Sequence, residues 1–279
     1  MPIKLGASDV TLKVGSQDVT AYLGAEVVSL DPDAASYLAS VEEADGESLE
    51  PAVRAAIADF IEGCKSDGIW DAIDHCCVLA GARTIAGAIK PLKGTAPSQN
   101  AFEAADYDRK TGLIGSTANT KYLDTNVNGN TFTQDDFHMS LRVSAAPASN
   151  SYWLMGAGFT GTGASEIFTS GGIYQWRNQS GSSDTFAAAA DTIADFVGSS
   201  RSESTEFAMR AGTLSRDPSS SRPSDAPFNG NIYVFRTLSL SSLFYPGRIA
   251  WYSLGSDVDL ALLRTRVNTL LSDIGSAIP

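Results

Sequence analysis

The sequence predicts an α+β chain in three parts. A short β repeat occupies residues 1–30, a helical region with a connector follows over 31–100, and an antiparallel β-sandwich closed by a C-terminal helix fills 101–279. Three observations carry this reading. Apolar residues recur at helical spacing up to about residue 80. From residue 102 the pattern changes to period two, punctuated by Gly, Ser and Asn. Helical spacing then returns after Ser256.

The first 28 residues repeat with a period of nine: Leu5-Gly6-Ala7 with Val10, Val14-Gly15-Ser16 with Val19, and Leu23-Gly24-Ala25 with Val28. Each unit has apolar ends around a Gly turn, which predicts three short strands joined by tight turns. Strands of this size bury too little surface to stand alone, so the repeat is expected to attach to a partner.

Next, Tyr37, Leu38 and Val41 form an apolar stripe that stops at Asp45-Gly46. Ser48 is the expected cap of a second helix, with Pro51 in its first turn and Leu49, Val53, Ile57, Phe60 and Ile61 on its buried face. Ile69, Trp70, Ile73, Val78 and Leu79 predict a third, shorter helix, and 82–100 reads as an extended connector.

The stretch Tyr107–Asp124 opens the β part, with Gly112 and Gly115 at turns. Phe137-Met139-Leu141-Val143 alternates with His138, Ser140 and Arg142, the signature of a half-buried strand. Comparable runs are Ser151–Met155, Ile173–Arg177, Glu206–Arg210, Ile232–Arg236 and Ile249–Leu254. Short strands at this spacing predict an antiparallel sandwich. Ser215–Pro227, rich in serine and proline, is a loop. Ser256 is the expected cap of a final helix carrying Leu260, Leu263, Val267, Leu270, Leu271 and Ile274.

Three segments bear a family resemblance: GIWDAIDHCCVLAGARTIAGAIKPLKGTAP (68–97), YDRKTGLIG with KYLDT (107–125), and RIAWYSLG onward (248–263). Together they resemble virion structural proteins of tailed bacteriophages, and the nine-residue units resemble repeats of phage head and tail appendages. The C-terminal part is similar to a concanavalin-A-like, laminin-G-like jelly roll. The resemblance implies a virion component, such as a fibre or capsid decoration, assembled in the host cytoplasm. It also implies attachment to other virion proteins through the repeat, and a homo-oligomer, a trimer being one option, whose number the sequence does not fix. It brings no catalytic residues. The alternative reading is a carbohydrate-binding adhesin that recognises a host glycan.

Composition narrows the classes. Hydrophobic residues make up 43% and charged residues 19%, an ordinary balance for a folded chain. No apolar run approaches the ~18 residues of a membrane span, and MPIKLGASDV has no apolar signal core, so neither insertion nor Sec export is expected. Of the net charge of −12, residues 1–80 hold four Lys/Arg against fifteen Asp/Glu. That acidity disfavours nucleic acid. Cys64, Cys76 and Cys77 are an odd, small set outside the β part, which suits a reducing compartment.

The sharpest local motif is Asp124-Thr-Asn126-Val-Asn128-Gly129-Asn130 with Asp135 at the twelfth position, matching the oxygen-ligand spacing of a calcium loop. No other cofactor is expected. His75, Cys76, Cys77 and Cys64 lack the separated pairs that structural zinc needs and are assigned to the core. Glycoside hydrolysis needs two carboxylates in one cleft. Glu203 and Glu206, three apart, would face opposite sides of a strand, and adjacent Asp135 and Asp136 fail likewise, so no enzyme is expected. For glycan binding the candidates are Trp153 and Trp176, drawn from the aromatic set with Tyr174, Trp251 and Tyr252, and Arg216 and Arg222 of the serine- and proline-rich loop.

Overall fold

A computed structural model describes residues 10–14, 17–21, 30–148, 151–190, 193–218, 221–238 and 242–279. The chain opens with β1 (Val10–Val14) and β2 (Gln17–Ala21), an antiparallel pair forming a sheet of its own. This matches two of the three strands expected from the repeat. The rest of the repeat lies outside the described residues.

Helix α1 (Pro32–Asp45) starts on Asp31, whose carboxylate accepts from Asp33 N at 2.9 Å, and ends at Gly46 in the left-handed conformation. Helix α2 (Pro51–Ser66) is capped from Glu50, not Ser48. Arg109 grips the Glu50 carboxylate through both Nη atoms, at 3.0 and 2.7 Å, and this pairing holds its pKa down at about 2.

The expected third helix is instead a strand, β3 (Ile73–Val78). The expected connector is structured as well: α3 (Ile85–Ala88), β4 (Pro91–Lys93) and β5 (Ser98–Asn100). The sandwich therefore begins at β3, ahead of the expected boundary at 101. Its early strands continue with β6 (Tyr107–Asp108), β7 (Gly112–Ile114), β8 (Tyr122–Asn128) and β9 (Phe137–Ala145). Then come β10 (Trp153–Ala157), β11 (Ala164–Ser170), β12 (Ile173–Ser180) and β13 (Asp184–Ala189). The last strands are β14 (Phe196–Arg201), β15 (Ala208–Ala211), β16 (Leu214–Arg216), β17 (Asn231–Val234) and β18 (Arg248–Gly255). Helix α4 (Leu260–Ala277) closes the chain; its cap is Asp259 rather than Ser256, and the Asp259 carboxylate accepts from Ala261 N and Leu262 N.

Two antiparallel sheets face each other. One has the order β13-β12-β11-β10-β17-β8-β5; the other runs β16-β15-β14-β9-β18-β3-β4 and is extended by β7 and β6 beside β18. The inner faces enclose a core that includes Leu123, Leu141, Ile167, Tyr174, Trp176 and Tyr252. A second core lies on the outer side of the nine-stranded sheet, where α1, α2 and α4 cover Cys76, Val78, Phe196 and Trp251. The molecule is thus helices on sheet on sheet, the predicted α+β sandwich with its C-terminal helix.

That third layer explains the misread strand. Cys77 and Tyr252 face the inner core while Cys76 and Trp251 face the helices. With both faces buried, alternation disappears, and a continuous apolar run cannot be told from a buried helix by spacing alone. Gly112, at φ +88°, sits where an added Cβ would collide with the Ile249–Ala250 backbone, so β7 packs against β18 only with glycine there.

His138 on β9 is fully buried. Its Nδ1 donates to Ser256 O at 2.5 Å, and its Nε2 accepts from Ser253 Oγ at 3.0 Å. Burial pushes its pKa down to about 4, against weaker opposing pulls from the Ser256 carbonyl, Asp257 and Asp136. The unfolded chain takes up this proton near pH 6.5 and the folded chain only near pH 4. Folding is therefore favoured fully above pH 6.5 and loses up to roughly 3 kcal/mol as pH falls through that window. Urea unfolding of His138→Gln at a series of pH values is expected to show a flatter dependence between pH 6.5 and 4 than the parent protein. Equal slopes would refute the assignment.

Candidate functional site

The outward face of the seven-stranded sheet gathers the polar and aromatic groups of the sandwich. Strand β8 alternates: Leu123, Thr125 and Val127 are buried, while Tyr122, Asp124, Asn126 and Asn128 face out. On β17, Ile232 and Val234 are buried and Asn231 and Tyr233 face out. The register sets Tyr233 and Ser98 on either side of Asp124, and Asn100 beside Tyr122.

Short hydrogen bonds hold this face. The Asp124 carboxylate accepts from Asn126 N at 2.8 Å and from Asn231 Nδ2 at 3.0 Å. Asn126 Nδ2 donates to Ala96 O and Ser98 Oγ, both at 2.9 Å, and Asn128 Nδ2 donates to Asn229 Oδ1 at 2.8 Å. The Tyr122 and Tyr233 rings meet edge to face at 5.6 Å, and the Arg236 guanidinium lies 4.9 and 5.0 Å from their centroids. Burial, then the neighbouring Asp124 carboxylate, raises the Tyr233 pKa.

Across β10 the face becomes closed. Glu166 is almost fully buried: it pairs with Arg177, accepts from Thr237 Oγ1 at 2.7 Å and from Trp153 Nε1 at 3.2 Å, and burial raises its pKa. Trp153 stacks flat on Phe168 at 5.2 Å, with Arg177 5.0 Å from the Phe168 centroid. Gly156 pairs with both Glu166 and Tyr233, and an added Cβ there would meet Glu166 Cα at 2.8 Å. Glu166 thus anchors Trp153 and does not face solvent.

The sequence-predicted site residues scatter. Trp153 is on this outer face, half-buried. Trp176 is in the inner core, fully buried and stacked on Phe186 at 5.0 Å, so it is no platform. Tyr174, Trp251 and Tyr252 are core residues too. Arg216 and Arg222 reach the buried Asp184 at 3.4 and 3.6 Å, three strands from Trp153, where they tie their loop to β13.

Of the calcium-loop residues, Asp124, Asn126 and Asn128 lie on β8, bulged at Asn126 (φ +57°), and protein hydrogen bonds engage them: Asp124 accepts from Asn126 N and Asn231 Nδ2, and Asn128 Oδ1 accepts from Asn130 N and Gly230 N. Among the described residues no group of three or more His, Cys, Asp or Glu is placed to hold a metal. Cys76 and Cys77 point into different cores, and burial pushes the Cys64 thiol up to about 12.

Glu203 and Glu206 are also placed differently from the expectation that they face opposite sides of a strand. They lie in the bend between β14 and β15, not on a strand, and both line a cleft of about 510 Å³ with Asp217, Asp257 and Asp259.

No family model matches the chain, and no curated protein matches it. Similar solved structures include mouse laminin alpha1 chain domains LG4-5, 17% identical, covering 62% of this chain and 47% of that one with a TM-score of 0.38. The botulinum neurotoxin serotype D binding domain is 10% identical over 71% of this chain and 50% of that one, TM-score 0.44. A Trypanosoma rangeli sialidase is 10% identical over 86% of this chain and 39% of that one, TM-score 0.47. This chain spans about half or less of each. The likeness is in the β-sandwich, and at these scores it transfers neither ligand nor activity. None of the three bears on the virion resemblance. What the two sheets establish directly is an antiparallel β-sandwich, backed on one side by helices.

Proposed function

We propose that this chain is a glycan-binding module, the adhesin reading, acting without catalysis through the outer face of β5, β8 and β17. The observation that carries it is the co-facing of Tyr122, Asp124, Asn126 and Asn128 with Asn231 and Tyr233 on a rigid sheet. Tyrosine rings offer large amphipathic surfaces at low entropic cost, which suits the apolar face of a sugar ring. A carboxylate and primary amides held by protein hydrogen bonds are matched to hydroxyl groups, which both donate and accept. The same residues that imitate a calcium loop in sequence supply this polar row.

Glycan-array screening of the full chain tests the reading. Tyr122→Ala, Tyr233→Ala and Asp124→Ala are each expected to weaken binding about tenfold or more, equivalent to about 1.4 kcal/mol. Cooperative unfolding should be retained in all three. Binding unaffected by all of them, or absent from the parent protein, would sink the proposal. The virion role implied by the sequence rests on that resemblance alone.

A further inference from the structure

We infer that the ligand of this face is a linear, uncharged oligosaccharide lying along β8, a few rings long, rather than one terminal sugar. This rests on the glycan-binding reading above. Four observations carry it.

The first is length. Tyr122, Asp124 and Asn128 line one strand, with Asn126 in a bulge at φ +57° where the step from Asp124 to Asn128 spans only that from Tyr233 to Asn231 on β17, so the row runs ~13 Å from end to end at ~3.3 Å per paired residue. A six-membered ring built from ~1.5 Å bonds spans roughly 5 Å between its bridging oxygens, so about two to three linked rings match the row.

The second is width. β8 lies between β17 and the edge strand β5, whose Ser98, Gln99 and Asn100 are all exposed. Three neighbouring strands make a strip ~10 Å across, enough for one saccharide chain.

The third is the spread of polar capacity along the row. Asp124 lies near one end and the amides of Asn126 and Asn128 continue to the other. The Asn126 carbonyl accepts no hydrogen bond among the described residues, while its Nδ2 is doubly engaged. A terminal sugar would engage only part of this row.

The fourth is charge. Beside the single Asp124 carboxylate stands the single Arg236 guanidinium, stacked on the Tyr122 and Tyr233 rings. The strip as a whole carries no net charge. Neither a polyanion nor a polycation is matched to it.

The test is calorimetric titration of the full chain with neutral linear glucose-, galactose- and N-acetylglucosamine-based oligosaccharides of one to six units. For the series that binds, affinity is expected to rise at least tenfold from one unit to about three and then level off. Asn128→Ala, at the end of the row away from the tyrosines, should remove most of that gain. A single sugar bound as tightly as the longest chain overturns the inference and leaves the glycan reading standing. So does a preference for an anionic polysaccharide over every neutral one. If no neutral series binds and the glycan array is also blank, the glycan reading itself falls, and this inference with it.

Discussion

Replacing Arg201 with alanine is expected to cost about 4 kcal/mol or more, enough to leave much of the protein unfolded at room temperature. The Arg201 side chain is fully buried on β14 and, among the described residues, forms no ion pair, with Asp135 and Asp225 acting on it only at longer range. Its guanidinium instead donates to four carbonyls: Nε to Asn178 O at 2.8 Å, Nη1 to Glu203 O at 2.7 Å and Glu206 O at 3.0 Å, and Nη2 to Arg222 O at 2.9 Å. One side chain thereby joins the end of β12, the bend after β14 and the loop after β16. Its removal strands the buried Asn178 acceptor and three part-buried ones at once, and each acceptor left buried and unsatisfied costs about 1–3 kcal/mol. Burial already works against the charge, lowering the Arg201 pKa to about 10. Lysine keeps the charge but has no planar fork, so Arg201→Lys should recover only a small part of the loss. Urea unfolding of both variants checks this; a midpoint within error of the parent for Arg201→Ala would refute the role.

The second large effect is expected at Trp251, where Trp251→Ala should cost about 3–5 kcal/mol. Trp251 is fully buried on the outer side of β18, and its ring meets Phe60 of α2 edge to face at 5.2 Å. It fills the layer between sheet and helices, beside Phe196 and the apolar side of α4. The resulting cavity would loosen the helical layer first, since the opposite face of β18 is held separately by Tyr252 in the inner core. Hydrogen exchange should therefore show amides of α2 and α4 losing protection before those of β9 and β12 do. Uniform loss across all elements would mean the two cores are one cooperative unit. Trp251→Phe, which keeps much of the contact, is expected to cost less than half as much.

The proposed glycan contacts and the residues argued to carry stability are different, and the sequence separates them unevenly. Where a strand has one wet face, as in Tyr122–Asn128, the alternation is readable directly, and the helices built on Tyr37–Val41, Val53–Ile61 and Leu260–Ile274 are equally plain. Strands buried on both faces are not. β3 was expected as helix, while β11 and β14, whose burial is almost continuous, carry no alternation to read. The candidate site was legible only in part. Asp124, Asn126 and Asn128 stand out in the sequence through their ion-loop spacing, but nothing local shows that they lie on a strand ending in a turn. Tyr233 and Asn231 join the site from more than a hundred residues away, a pairing that local patterns do not encode.

By itself, the sequence determined the α+β class, the two-sheet sandwich, the helices over α1, α2 and α4, and the acidic N-terminal part. These follow from periodicity and composition, which are local properties. Only the tertiary structure decided that helices cover the outer side of one sheet while the β5, β8 and β17 part of the other stays wet, and so which aromatic rings are core and which are displayed. It also decided that Glu203 and Glu206 share a cleft and that Trp176 does not reach solvent. The physical reason is that burial belongs to the packed layers: the same alternating strand presents a ligand surface or a second core depending on what lies against it.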